Sequence, residues 1–123
     1  MSAPRLHPEF FIRLFLNDSA MLGPGKAALL DGIARTGSIS AAGREMGMSY
    51  KRAWMLVETL NAMFRAPLVE SARGGAGGGG ATLTETGQQV LALYRGIEAA
   101  AAEVNADRIA ALKALQADTS GRK

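Results

Sequence analysis

The chain has 123 residues and a mass of 12.9 kDa, which fits one domain with an appended helix. Its composition is 48% hydrophobic, so it can bury a core and is not a disordered tail. The absence of cysteine excludes disulfides, thiolate metal sites and cysteine nucleophiles, and a single histidine, His7, argues against a histidine zinc site or a Ser-His-Asp triad.

The net charge of +3 is confined to the middle of the chain. Residues 35–73 carry six basic and three acidic residues, whereas the segments on either side are neutral. A local basic excess suits a polyanionic partner, because each neutralised phosphate releases counterions; an ordinary solvated surface is the alternative. The sequence shows no signal peptide and no apolar run of 18 residues, so we expect a cytoplasmic protein with no membrane partner.

The N-terminal third contains one predicted strand and one predicted helix. The aromatic and branched residues of Phe10–Leu16 favour a strand, and the cluster Asn17-Asp18-Ser19 favours a turn after it. Apolar residues at helical spacing predict a helix over Lys26–Thr36, which Gly37 would end.

Two further helices follow in quick succession. Ser40 is a suitable N-cap for a short helix through Met46, and Gly47 can adopt the left-handed conformation that ends it. Ser49 can cap a third helix, Tyr50–Phe64. The apolar residues of that helix recur at steps of four, three and four and define its buried face: Ala53, Val57, Leu60 and Phe64.

A glycine run separates two short predicted strands. The pattern predicts strands over Leu68–Ser71 and Ala81–Leu83. Because Gly74–Gly80 lies between them, we expect a hairpin with a glycine-rich tip. The run lacks the lysine of a nucleotide-binding P-loop, and a strand rather than a helix follows it, so neither phosphate-binding loop fits. Two helices joined by a tight turn and followed by a hairpin predict a mainly α winged helix-turn-helix with a small β-wing.

The C-terminal segment is predicted to form one long helix from Thr84 to about Ala117, roughly 50 Å at 1.5 Å per residue. We therefore divide the chain into a DNA-binding domain (1–83), a long dimerisation helix (84–118) and a disordered tail (119–123). A helix folded back onto its own domain is the alternative. The predicted dimer stripe follows a heptad with a later shift of phase: Val90, Tyr94, Ile97, Ala101, Val104, Ile109 and Leu112.

The helix Tyr50–Phe64 is the candidate recognition helix. Its first turn holds Lys51 and Arg52, which could bond phosphate or the guanine edge in the major groove, while Trp54 is open to packing or base contact. Basic residues at a helix start oppose the helix dipole, so an external anion explains them better than an ordinary surface does. The predicted DNA-binding set is Ser38, Ser40, Arg44, Ser49, Tyr50, Lys51, Arg52, Met55 and, in the wing, Arg73, Gly75, Gly77 and Gly78.

Two stretches resemble a known family. Residues 37–43 (GSISAAG) and 47–54 (GMSYKRAW) resemble the helix-turn-helix of the ModE family of molybdate-responsive transcriptional regulators. Residues 68–70, the glycine run and residues 83–88 resemble that family's wing and the start of its linker helix, and LysR-type regulators share a weaker version of the pattern. The resemblance covers roughly residues 10–105.

The resemblance implies a winged helix-turn-helix that binds double-stranded DNA, and a dimer. We expect a homodimeric, sequence-specific repressor that reads a near-palindromic operator and has a possible link to molybdate metabolism. The β-rich molybdate-binding domains of the family find no match in this sequence, so we expect no cofactor and no metal in this chain. A protein-interaction module that pairs through the long helix is the alternative, whereas no nucleophile–base pair or paired carboxylate supports an enzyme.

Overall fold

The computed structural model describes residues 11–72 and 80–117. Within these ranges the fold is a winged helix-turn-helix, which confirms the predicted mainly α class. In chain order, the elements are β1 (Leu14–Asn17), β2 (Ala20–Leu22), α1 (Pro24–Thr36), α2 (Ile39–Glu45), α3 (Tyr50–Met63), β3 (Val69–Ala72), β4 (Gly80–Leu83), α4 (Glu85–Val104) and α5 (Ala106–Leu115). None of the described helices has the length and apolarity needed to cross a membrane.

The first two strands form a small antiparallel hairpin. Leu14 pairs with Leu22, and the side chain of Asn17 accepts a hydrogen bond from the Ser19 backbone N–H at 2.8 Å, which closes the predicted turn. The strand predicted over Phe10–Leu16 is shorter within the described residues and ends one residue later. The sequence analysis missed β2, because three residues are too few to show a period.

Helix α1 begins at Pro24, two residues before the predicted start. Proline is favourable in the first turn, where its missing N–H would have no partner in the helix. The helix ends as predicted at Gly37, which has φ of 72° and donates its N–H to the Ile33 carbonyl at 2.8 Å.

The cap predicted for α2 is wrong by two residues. Ser38, in an extended conformation, is the N-cap, and its hydroxyl accepts a hydrogen bond from the Ala41 N–H at 3.0 Å. Ser40 lies inside the first turn, where its hydroxyl accepts from Arg44 at 3.3 Å. Ser38 takes the capping role because its backbone is extended, whereas the backbone at Ser40 is already helical.

The hairpin β3–β4 is attached to both sides of the helical core. The Ala81 N–H donates to the Gly37 carbonyl at 2.9 Å, and the Thr84 N–H donates to the Leu68 carbonyl at 2.9 Å. The Asn61 side chain of α3 accepts from the N–H groups of Leu68 and Val69 and donates to the Val69 carbonyl. These bonds hold the base of the wing beside α3.

One buried cluster joins α1, α2, α3, the wing and the start of α4. Its largest fully buried side chains are Tyr94, Leu29, Leu30, Ile33, Leu60, Leu68 and Val57. Close packing requires glycine at two positions: a Cβ at Gly43 would lie 2.8 Å from the Ala53 Cβ, and one at Gly87 would collide with the Leu68 carbonyl oxygen. The core therefore fixes α2 against α3, and α4 against the wing.

The prediction of one continuous helix from Thr84 to Ala117 is wrong, because the segment forms two helices, α4 and α5. Thr84 is the N-cap of α4, so the helix begins one residue after the predicted start, but Asn105 interrupts it with φ of −103° and ψ of 10°, and α5 ends at Leu115. The Asn105 amide donates to the Ala101 carbonyl at 2.8 Å and its oxygen accepts from Arg108 at 3.2 Å. The Asn105 backbone N–H donates to the same Ala101 carbonyl at 3.1 Å, so the side-chain amide shares an acceptor with a helical bond, which is one reason why asparagine is unfavourable inside helices. The tail predicted over residues 119–123 lies outside the described residues.

Candidate nucleic-acid interface

The first turn of α3 is presented outward, as a recognition helix requires. Ser49 caps it, and its hydroxyl accepts from the Arg52 N–H at 3.1 Å. Ala53, Val57 and Leu60 anchor the opposite face in the core. The predicted contact residues Tyr50, Lys51, Arg52 and Met55 are all exposed.

The turn between α2 and α3 sets the angle at which α3 stands out. Gly47 has φ of 72°, and the N–H groups of Gly47 and Met48 donate to the carbonyls of Arg44 and Gly43, each at 3.0 Å. The predicted left-handed glycine is therefore confirmed. Ser38 and Ser40 lie partly exposed at the start of α2, and Arg44 is exposed at its end.

A polar cavity of about 270 Å³ lies between the starts of α2 and α3 and the base of the wing. Four hydroxyl-bearing residues line it: Ser38, Ser40, Tyr50 and Ser71. Trp54 also lines it and packs edge-on against Tyr50, with ring centroids 6.1 Å apart. This cavity, which we call the wing-side cavity, brings together predicted contact residues from α2 and α3.

Trp54 carries a buried donor without a partner. Its indole Nε1–H is enclosed and finds no acceptor among the described residues. An unsatisfied buried donor costs about 1–3 kcal/mol, so such groups are uncommon unless a bound molecule supplies the acceptor. The partly buried ring supports packing, while the unpaired N–H leaves contact with a bound group open.

The basic excess seen in the sequence divides into paired and unpaired charges. Arg35 lies between Asp31 and Glu45, with nitrogen–oxygen distances of 3.2 and 2.6 Å. The hydrogen bond from Arg35 lowers the pKa of Glu45 below its ordinary value, and the same bond raises that of Arg35. Arg35 therefore holds α1 against α2 and contributes little free charge to a DNA surface.

The structure adds two cations that the charge count by segment overlooked. Arg13 and Lys26 come from the neutral N-terminal segment, yet they share a cavity with Arg52 of α3. A count along the chain cannot find them, because the residues of that cavity come together only in the fold. Of the predicted wing contacts, Arg73, Gly75, Gly77 and Gly78 lie outside the described residues.

The predicted dimer stripe mixes two adjacent faces of α4. Val90 and Tyr94 are buried in the chain's own core, with 8% and 1% exposure, and the Tyr94 hydroxyl donates to the Ile12 carbonyl at 2.6 Å. They are unavailable to a second copy, which corrects their assignment. Tyr94 joins α4 to the segment before β1, so the first half of α4 packs with the helical core.

The exposed apolar face of α4 lies beside that buried face. Leu93, Ile97 and Val104, at 69%, 42% and 70% exposure, align at steps of four and seven residues, and the sequence analysis missed Leu93. Ala101 and Ile109 are half-buried, and Leu112 is exposed. On the other side of α4 and α5, a shallow and largely alanine-lined hollow of about 520 Å³ includes Ile109.

The comparison with known protein families decides the class of this helix-turn-helix. The family described as bacterial regulatory helix-turn-helix protein, lysR family, matches residues 26–88, from α1 to the start of α4. The chain belongs to this family. The matched region contains α2, α3 and the wing.

Relatives at 40–45% identity agree with the ModE resemblance and confirm it. The chain is 45% identical over 111 residues to the molybdenum-pterin-binding protein MopB of Rhodobacter capsulatus. It is 40% identical over 89 residues to the DNA-binding transcriptional dual regulator ModE of Escherichia coli K12. The alignments cover 84% and 72% of this chain but 41% and 34% of those relatives, so the chain spans well under half of their length.

The described residues contain no cluster suited to holding a metal ion. No group of three or more His, Cys, Asp or Glu residues that could hold a metal ion occurs in residues 11–72 and 80–117. The cavities beside α3 are lined instead by hydroxyls, methionines and basic side chains. Such linings suit hydrogen bonding and charge pairing with an anion.

Proposed function

We propose that this chain is a sequence-specific DNA-binding transcriptional regulator, and that the first turn of α3 enters the major groove. The observation that carries the proposal is the outward first turn of α3, with Lys51 and Tyr50 exposed beside hydroxyls from α2. An α-helix fits the major groove, and lysine can bond guanine there. The lysR-family match supports DNA binding in general, and the contacts of single residues are our proposal.

The serines of α2 and the wing complete the proposed interface. Ser38 and Ser40 use their hydroxyl oxygens as acceptors within the protein, which leaves their O–H protons to donate to a phosphate oxygen. Arg44 stands beside them on the exposed end of α2. In this arrangement α2 and the wing base contact the backbone, while α3 reads the bases.

We further propose that two copies pair through the exposed apolar face of α4 and α5. Leu93, Ile97 and Val104 present apolar surface that the chain itself leaves uncovered. A two-fold dimer would place two α3 helices on one face of the DNA and would require a near-palindromic operator.

The names of the relatives suggest the regulated system. MopB is named as molybdenum-pterin-binding and ModE as a dual regulator, so we propose that this chain represses genes of molybdenum metabolism. We expect it to bind DNA without a cofactor. Calorimetry of the chain against molybdate, with sulfate as the matched oxyanion, should give equal heats; heat specific to molybdate would contradict this expectation.

Selection of duplexes from a random pool tests the proposed function. Repeated rounds of capture and sequencing should enrich one motif with two related half-sites about one helical turn, or a multiple of it, apart. A reporter under a promoter that contains that motif should fall in expression when the chain is produced. A pool without an enriched motif would contradict sequence-specific binding.

The exposed α4–α5 face favours one second candidate, a protein-interaction module that pairs with another regulator. Light scattering after size exclusion separates the two candidates when it is combined with the DNA selection. A dimer that enriches a motif supports the regulator, whereas a monomer without DNA enrichment supports the module.

A further inference from the structure

A cavity of about 350 Å³ lies on the flank of α3 opposite the wing-side cavity, and it is lined by cations from three separate segments. Arg13 comes from the segment before β1, Lys26 from the first turn of α1, and Arg52 from the first turn of α3. Met21, Met46 and Met48 contribute apolar lining. None of the described residues that line this basic cavity is acidic.

Among residues 11–72 and 80–117, no carboxylate pairs with the three cations of the basic cavity. Arg35 and Arg95 form ion pairs within these ranges, and neither belongs to the cavity. Lys26 donates to the Met21 carbonyl at 2.8 Å, which orients its ammonium group without neutralising it. Like charges around one hollow repel one another, so a bound anion would turn an unfavourable arrangement into a favourable one.

We propose that the basic cavity binds a phosphate group of the DNA backbone next to the bases that α3 reads. The ligand class is a tetrahedral oxyanion, and arginine and lysine are the side chains that bind it best. Arg52 follows Lys51 in the same helical turn, so the cavity lies at the edge of the exposed recognition surface. The inference rests on the proposed function and extends the interface to Arg13 and Lys26.

This placement separates the roles of two neighbouring residues. In this proposal Arg52 binds the phosphate together with Lys26 and Arg13. Lys51 is exposed outside the cavity and contacts the bases. Phosphate contacts fix the position of the protein on any duplex, and base contacts distinguish one sequence from another. The two kinds of contact therefore have different experimental signatures.

The test measures how the DNA affinity of the full chain depends on salt. Lys26→Gln, which retains a donor for the Met21 carbonyl, and Arg13→Gln should each reduce the magnitude of the negative slope of log K against log salt by about 0.9. The decrease should be equal on a selected duplex and on a scrambled one. Arg65→Gln is the matched control, because Arg65 is an exposed cation beyond the end of α3 and outside the cavity, and its slope should not change.

The outcomes distinguish this inference from the proposed function. If the wild-type chain binds no DNA, both fail. If it binds and the slopes of Lys26→Gln and Arg13→Gln equal that of the wild type, the proposed function stands and the backbone contact is overturned. Calorimetry with inorganic phosphate separates a DNA phosphate from a free phosphate ion. If Lys26→Gln loses the binding of inorganic phosphate but keeps the wild-type dependence of DNA affinity on salt, the cavity binds a free ion and the proposal is overturned. Thermal melts identify any variant that has failed to fold.

Discussion

Lys51 is the residue on which the proposed sequence readout depends most directly. It is exposed in the first turn of α3, and its neighbours Tyr50 and Arg52 flank it on the same turn. Replacing Lys51 with alanine should weaken binding to a selected duplex by about 1–3 kcal/mol and should relax the preference at one base pair. Titration at fixed salt against the selected duplex and its single-base variants measures both effects. Arg65→Ala, which removes the same charge away from the first turn, should leave both unchanged; equal losses in the two variants would contradict a base contact.

Trp54 reports on the wing-side cavity because it is the chain's only tryptophan. Its indole N–H has no acceptor among the described residues, and its ring packs against the exposed Tyr50. Bound DNA should change the surroundings of this ring, so we expect its fluorescence emission to shift and to saturate at the stoichiometry of binding. Emission that stays constant while anisotropy of labelled DNA reports saturation would contradict a DNA contact at this cavity.

Single residues show how far the sequence predicts the site. The capping of α3 by Ser49 and the left-handed conformation of Gly47 follow from local rules and are correct. The cap predicted at Ser40 is wrong, because Ser38 satisfies the same local rule and only the backbone conformation separates the two serines. The unpaired Trp54 donor and the cavity of Arg13 and Lys26 depend on contacts between distant segments, which periodicity does not encode.

At the scale of elements, the wing is joined to α3 through one side chain. The Asn61 oxygen accepts from the Leu68 and Val69 N–H groups at 2.8 and 3.0 Å, and its amide donates to the Val69 carbonyl. Asn61→Ala should lower the free energy of unfolding by about 2–3 kcal/mol, because two backbone donors lose their acceptor. Chemical denaturation measures the loss. Asn61→Asp keeps the acceptor and should lose less; equal losses in the two variants would contradict this account.

The contact between α1 and α2 predicts a dependence on pH. Hydrogen bonding from Arg35 lowers the pKa of Glu45 in the folded chain. The charged carboxylate therefore stabilises the fold above the unfolded pKa of about 4.3, and that stabilisation disappears as the pH falls through the lowered folded value. The difference in Tm between wild type and Glu45→Gln should be present at pH 7 and should vanish at low pH. Glu70→Gln, at an exposed site on β3, is the control; a difference for Glu45→Gln that persists at the lowest pH would contradict the ion pair as its cause.

The elements also show why boundaries are harder to predict than order. The sequence pattern predicts α1, α3 and the β3–β4 hairpin close to their observed bounds. It does not predict β2, because that strand has only three residues and shows no pattern. The C-terminal segment has the predicted heptad spacing of apolar residues. Val90 and Tyr94 are nevertheless buried in the core, whereas Leu93 and Ile97 are exposed. A stripe in the sequence does not say which of two neighbouring faces the rest of the chain will cover.

At the scale of the whole molecule, two surfaces stand apart. The cations and hydroxyls around α3 form the proposed DNA surface, and the exposed apolar face of α4 and α5 forms the proposed dimer surface. Ile97→Glu should convert the dimer to a monomer, because it places a charge in the centre of the apolar face. Light scattering measures the mass. Gln88→Glu, on the opposite side of α4, is the control and should remain dimeric; an unchanged mass for Ile97→Glu would contradict this dimer surface.

The division of surfaces also predicts how dimerisation and DNA binding are linked. A monomeric Ile97→Glu chain keeps its α3 surface and should still bind a single half-site, with an affinity lower than that of the dimer for the full site, because two linked contacts act together. The same variant with an unaltered affinity for the full operator would show that a single copy accounts for binding.

The decisive measurement of sequence reading is the ratio of affinities for the selected duplex and for a scrambled duplex of equal length. Measured for the full chain at one fixed physiological salt concentration, it separates sequence reading from attraction between charges. A sequence-specific regulator that reads DNA through the first turn of α3 should show a ratio of about 10³ or more, and Lys51→Ala should reduce it. A ratio near one, unchanged in Lys51→Ala, would contradict the assignment.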